Sequence, residues 1–247
     1  MRVVIPIGSA LFYERDYNKL LERVLVEAKS LTRAEGGTLY LVRGDRLEFI
    51  MVHNDVLKIA MGGTTGVRPP FDSLALRDPV TDEPNHRNIA TYVALTGETV
   101  NIADAYSAEG FDFSGPRDFD AKTGYRSTSF LVVPLKNTQD EVIGVLQLIN
   151  ARDGSTGGGI AFDALLERAI TSLGLIAAAA LEQHVREEQL RTTIRELKVE
   201  IDQTKRERQV FEITNSNYFN GLQAKLQLLR QRPRPSAQGQ AGTSWHA

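Results

Sequence analysis

The stretch "FDAKTGYRS", Phe119 to Ser127, sets an acid, a Thr-Gly pair, an aromatic, an arginine and a small hydroxyl side by side. A carboxylate accepts hydrogen bonds, Thr and Ser both donate and accept, and Tyr adds an apolar face with a polar tip. Such a set suits recognition of a small polar ligand between apolar walls. It equally suits a surface turn in which Gly124 reverses the chain, Tyr125 packs on the core and Arg126 is solvated. Both readings are open at this point.

Other chemistries find less support. His53, His86 and His184 have no mutual spacing that suits a metal site, and no metal ligand set is assigned. "GGTTG" is glycine-rich, but no lysine follows it as a phosphate-binding P-loop requires. Asp and Glu are plentiful, yet linear spacing yields neither a nucleophile-base pair nor a working carboxylate pair, so no catalytic residue is assigned and no enzyme is expected. With 0 cysteines, disulfides, thiolate metal sites, a cysteine nucleophile and a thioether-linked pigment are all excluded.

The elements that would position a pocket are readable. "DYNKLLERVLVEAKSLTRAEGG" predicts a helix with Asp16 as N-cap, Leu20, Leu21, Val24, Leu25, Ala28 and Leu31 on one face, and Gly36-Gly37 as its stop. "TLYLVRGDRLEFIMV" predicts a hairpin turning near Gly44-Asp45, and "STSFLVVPLKNTQDEVIGVLQLINARD" a second one turning at "NTQD". Between them "HRNIATYVALTGETVNIAD" reads as a short helix ending at Gly97 and a short strand. A long helix begins near Phe162. The sum is an α+β fold with helices on a mostly antiparallel sheet. Met61 to Asn85 holds four of the 9 prolines and no steady period, which marks either a functional loop or a variable surface insertion.

Composition sets the outer limits. The chain has 247 residues, 42% hydrophobic and 24% charged, which is ordinary for a soluble globular protein. A net charge of -2 argues against nucleic acid as partner. No apolar run reads as a membrane span and the start lacks a signal-peptide pattern, so no membrane association and a cytoplasmic location are expected. Three segments are expected: a domain over residues 1–181, a helical segment over 182–232 and a disordered Pro/Gly/Ser/Gln-rich tail over 233–247.

"NIATYVALTGETVNIADAY", "FDAKTGYRSTSFLVVPLKN" and "EVIGVLQLINARD" together resemble the GAF domain, and especially the cyclic-nucleotide-binding type of phosphodiesterases and adenylyl cyclases. The resemblance spans roughly Asn18 to Leu181 and implies a GAF-like antiparallel sheet flanked by helices. It further implies that Asp120, Thr123 and Ser127 face a ligand, that Thr38 joins them, that the backbone at Ile89 and Ala90 lies near a phosphate, and that Gln147 stands where relatives often place a glutamate beside the base. Cyclic AMP or cyclic GMP would then be the ligand, with no other cofactor. The family also carries an Asn-Lys pair and a Phe-x-x-x-Asp-Glu phrase whose lysine and aspartate brace the pocket. Here Asn150, Phe162 and Glu167 match, whereas those two positions are Ala151 and Leu166. An apolar contact can replace such a pair, because both charges are lost together.

Past Leu181, Leu190, Ile194, Leu197 and Ile201 step by four, three and four, a coiled-coil seam that predicts a homodimer. The alternative is one amphipathic helix folded back on its own domain. "TNSN" is turn-prone and would interrupt the helix. The text here also resembles the tail that links GAF domains to output modules, which implies a separate output protein. The leading expectation is therefore a non-enzymatic sensor that relays ligand binding through paired helices. Its rival is a ligand-free GAF scaffold that docks a partner through the helices or the Tyr218-Phe219 pair.

Overall fold

The computed structural model describes residues 10, 11, 13–214 and 217–230; the tail over 233–247 lies outside the described residues. The chain forms two compact units, Met1–Glu188 and Gln189–Ala247.

In the first unit, α1 (Tyr17–Thr32) starts where the Asp16 carboxylate accepts from the Asn18 and Lys19 N–H groups at 2.9 and 3.1 Å. It ends sooner than the glycines suggested. Arg33 takes the left-handed conformation at φ 53° and its N–H caps the carbonyls of Lys29 and Ser30. Gly36 and Gly37 are strand residues instead. They fall in β1 (Ala34–Arg43), where a Cβ on Gly37 would lie 2.7 Å from a Leu25 methyl. The missing side chain lets α1 sit close to the sheet.

β1 turns at Gly44, φ 59°, into β2 (Arg46–Asn54), followed by β3 (Ile59–Met61) and β4 (Leu74–Ala75). The proline-rich stretch between Met61 and Asn85 is thus partly ordered: β4 pairs with β2, and Arg77 bridges to Pro84. Next come α2 (Ile89–Thr96), closed by Gly97 at φ 66°, and β5 (Val100–Ile102). α3 (Ser114–Thr123) follows, then the hairpin of β6 (Phe130–Lys136) and β7 (Val142–Arg152), and the short β8 (Gly159–Ile160). The eight strands form one antiparallel sheet in the order β3-β2-β1-β7-β6-β5, with β4 on β2 and β8 on β7.

Strand alternation sorts the core. Leu131, Val133, Leu146 and Leu148 point to one apolar layer, Phe130, Val132 and Val145 to the other. Because both faces are covered, β6 reads as an unbroken apolar run rather than an alternating one. The first layer packs under α1 and the start of α4 (Ala164–Thr214), through Ile170, Leu173, Ala177 and Leu181. By length and composition alone, α4 is apolar enough to cross a membrane, unlike the sequence expectation. Those four residues instead cover one face of the sheet. The second layer packs under α2 and surrounds the cavity described below.

In the second unit α4 continues to Thr214, and α5 (Asn217–Arg230) follows. Leu190, Ile194, Leu197 and Ile201 remain 51–58% exposed. The central residues of "TNSN", 215 and 216, and the side chains of Tyr218 and Phe219 lie outside the described residues.

His53 lies on β2, with Lys29 and Glu22 of α1 and Asp55 of the following turn acting on it. Its Nε2 is buried with no hydrogen-bond partner among the described residues. Burial and then the Lys29 charge lower its pKa, against smaller opposing effects of Glu22 and Asp55. The unfolded chain therefore takes up this proton first as pH falls below about 6.5. Stability contributed by the neutral imidazole is present above that value and is lost on acidification towards the folded-state pKa. Urea midpoints between pH 7.5 and 5.5 should fall more steeply for the native protein than for His53→Gln.

Candidate functional site

On the α2 side of the sheet the second apolar layer opens into a cavity of about 280 Å³, near the lower end of the ligand-pocket range of roughly 300–1,000 Å³. Its floor is β1 and β7, where Thr38 and Gln147 are cross-strand partners. Aromatic rings make the walls. Tyr40 and Phe49 lie 4.7 Å apart between centroids, Phe71 meets Phe49 at 5.2 Å with the rings tilted, and Phe113 meets Phe130 at 5.5 Å. Ile89 opens α2 at one side, while Asp112, Gly115 and Pro116 bring the start of α3 to another.

The polar groups differ in how far they are already engaged. Gln147 is 8% exposed, and its amide has no hydrogen-bond partner among the described residues. Burial pushes the Tyr40 phenol well above its ordinary pKa, with the Thr38 hydroxyl acting in the opposite sense. Both therefore stay neutral. Among the described residues Asp112 is the one carboxylate on the lining, and the Ser114 N–H at 2.9 Å holds its pKa below the ordinary value. No lysine or arginine among the described residues lines the cavity.

Two helix starts face this space. Asn88 caps α2, and its Oδ1 accepts from the Ala90 and Thr91 N–H groups at 2.9 and 3.2 Å. The Ile89 N–H is left without an acceptor among the described residues. The Gly115 N–H, in the first turn of α3, is in the same position, since Asp112 takes the Ser114 N–H instead. Unclaimed first-turn N–H groups carry the positive end of the helix dipole.

Of the residues suggested for ligand contact, Thr38, Ile89, Ser127 and Gln147 lie on the lining. Ala90 lies beside it, buried in the apolar layer, its N–H given to Asn88. Asp120 and Thr123 belong to α3 rather than to a loop, and neither reaches the lining. The Asp120 carboxylate is buried and fully engaged: it accepts from the Ser127 N–H at 2.7 Å, the Ser127 hydroxyl at 2.8 Å and the Tyr106 hydroxyl at 2.7 Å. It thereby fixes Ser127 at the cavity rim. Thr123 is exposed, and its hydroxyl donates to the Phe119 carbonyl at 2.8 Å, closing the end of the helix.

Sequence reasoning missed Glu35. This carboxylate, 9% exposed, accepts from the Tyr125 hydroxyl at 2.6 Å and from the Asn150 amide at 2.9 Å, while its other oxygen meets Arg152. Asn150 completes the hub. It donates to the Arg126 carbonyl at 2.7 Å and accepts from the Thr128 and Ser129 N–H groups at 2.7 and 3.2 Å. Tyr125 lines the cavity, so this hub holds one of its walls. The start of α4 is held separately: Asn101 on β5 donates to the Phe162 carbonyl and to Glu167, both at 2.9 Å.

Comparison with known proteins places the chain. The GAF domain pattern matches residues 16–181, and the chain belongs to the GAF domain family. It is 32% identical over 148 residues to a cGMP-specific 3',5'-cyclic phosphodiesterase of Drosophila pseudoobscura pseudoobscura, covering 57% of this chain and 12% of that protein. It is 29% identical over 157 residues to the dual 3',5'-cyclic-AMP and -GMP phosphodiesterase 11 of Drosophila melanogaster, covering 62% of this chain and 10% of that one. The chain thus matches only about a tenth of the length of these relatives. Among solved structures, the GAF domain of a phosphoenolpyruvate-protein phosphotransferase from Coxiella burnetii superposes with a TM-score of 0.55 at 15% identity, covering 76% of this chain and 95% of that one. A free methionine-R-sulfoxide reductase from Neisseria meningitidis gives 0.51 at 18%, covering 75% and 89%. These two likenesses establish the fold.

Removing the Asp120 carboxylate would leave three buried or half-buried donors without an acceptor. Asp120→Ala should therefore destabilise the first unit by about 2–3 kcal/mol, read from urea unfolding followed by circular dichroism.

Proposed function

We propose that this GAF domain is a non-enzymatic, cytoplasmic sensor whose cavity binds a purine cyclic nucleotide, cyclic GMP or cyclic AMP. The observation that carries the reading is the cavity itself. It joins tilted aromatic walls to an unengaged amide, Gln147, and to two helix starts that leave the Ile89 and Gly115 N–H groups unclaimed among the described residues. A planar base fits between the rings with Gln147 and Thr38 at its edge, and a phosphate suits the N–H groups of Ile89 and Gly115. The curated relatives named as cyclic-nucleotide phosphodiesterases support the same class.

Charge narrows it further. Asp112 is on the lining, while Arg87 and Arg117 act on it from outside the described lining residues, so the site suits one negative charge better than two. A cyclic phosphodiester carries one; a nucleoside monophosphate carries nearly two. Asp120 and Thr123 serve by holding Ser127 and the end of α3, and Ala90 by seating α2.

Isothermal titration should show saturable binding of cyclic GMP or cyclic AMP, with the matching 5'-monophosphate at least about tenfold weaker. Gln147→Ala should weaken the cyclic nucleotide by about tenfold, the size of one lost hydrogen bond of about 1–1.5 kcal/mol. Flat titrations with both cyclic nucleotides would overturn the assignment.

Relay follows from the second unit. Leu190, Ile194, Leu197 and Ile201 expose a stripe that a second copy would bury in a parallel pair. A ligand that binds one arrangement of the pair more tightly shifts the helices, and a separate output protein reads the shift. Light scattering should report a dimer for the native chain and a monomer for the double variant Ile194→Lys, Leu197→Lys. A native monomer at micromolar concentration would remove the relay.

A further inference from the structure

Around the C-terminal end of α1 lies a second concavity, a groove of about 650 Å³. It is lined by four cations, Lys29, Arg33, Lys58 and Arg152, and by two carboxylates, Glu35 and Asp55. Lys29 pairs with Asp55 at 2.7 Å, and Arg152 pairs with Glu35. Arg33 and Lys58 have no acidic partner among the described residues. The groove therefore carries an excess of two positive charges (four minus two) on a chain whose net charge is -2.

Helix capping does not account for this excess. The Arg33 backbone N–H already closes α1, so its guanidinium is not needed there. Room for that guanidinium comes from Gly154, where any Cβ would collide with it. Both unpaired cations sit on left-handed backbone, Arg33 at φ 53° and Lys58 at φ 57°. The side chain of His53 adds a further polar group to the lining.

We propose that this groove is a second binding site, for a small phosphate-bearing anion held by Arg33 and Lys58, with Arg152 turning from Glu35 to join them. A guanidinium presents a planar fork of donors that matches phosphate oxygens two at a time, and the ammonium supplies a compact point charge. The volume exceeds the needs of one phosphate and fits an organic phosphate or a pyrophosphate. Occupancy is felt at the cavity. Glu35 holds Arg152 through one oxygen and the Tyr125 hydroxyl and Asn150 amide through the other. An anion that draws Arg152 away leaves the Glu35 charge concentrated on those two donors, which line or brace the cavity wall.

The probe is inorganic pyrophosphate, titrated into the full chain in a phosphate-free buffer of low ionic strength. Saturable binding is expected, weakening with added sodium chloride as screening shortens the reach of the charges. Arg33→Asn and Lys58→Asn should each weaken it at least tenfold. Asparagine tolerates the left-handed backbone at both positions, so each variant keeps the fold, checked by an unchanged amide spectrum. In the native chain, pyrophosphate should shift the Gly154 N–H and the Asn150 side-chain amide resonances. A flat titration, equal affinity in both variants, or shifts confined to Ile89 and Gly115 at the cavity would each overturn the second site.

Discussion

A buried carboxylate cannot remain charged without partners, and Glu35 meets that demand with three donors from two places in the chain. Tyr125 follows α3, and Asn150 and Arg152 end β7. Desolvation would otherwise cost several kcal/mol, so the two segments are tied to the first residues of β1. That tie decides where the segment after α3 runs, and hence where Tyr125 and Ser127 stand against the cavity. Tyr125 itself is held neutral: burial and the adjacent Glu35 charge both drive its pKa upward. A neutral phenol donating to an ionised acid is a strong, short contact, and it fixes an aromatic wall.

Apart from the Asp112 carboxylate, the cavity is furnished by backbone and neutral groups. Its rings give shape, its amide and hydroxyl give direction, and two helix starts give a weak positive field. Such a site discriminates by outline and hydrogen-bond pattern instead of bulk attraction. Four cations of the first unit gather around the end of α1, so the two concavities suit ligands of different character. Glu35 lies on one and reaches the wall of the other.

Position 151, where the resemblance leads one to expect a lysine, is apolar here. Ala151 is fully buried in the apolar layer, and Asn101 anchors the start of α4 through Phe162 and Glu167. Charge reappears one residue later, at Arg152, which pairs with β1. The strand end is still cross-linked, but to a different neighbour.

The linear text determined the scaffold. Asp16 capping α1, Asn88 and Gly97 bounding α2, the two hairpins and the apolar runs of β6 and β7 follow from local rules of capping, turn chemistry and strand period. These depend on residues within a few positions of each other. The resemblance to GAF domains pointed to Thr38, Ile89, Ser127 and Gln147, which β1, β7, α2 and the segment after α3 bring to one lining. Only the tertiary structure decided the rest. Glu35 meets Tyr125 and Asn150 across 90 and 115 residues, a distance at which no periodicity operates. Asp120 looked like a ligand contact because its residue type allowed it; whether a carboxylate faces a cavity or is spent on Ser127 and Tyr106 depends on which way α3 turns over the sheet. Gly36 and Gly37 resembled a helix stop, yet close packing against Leu25 made them strand. Local preference proposes an element's type, and packing settles its ends and where its side chains point.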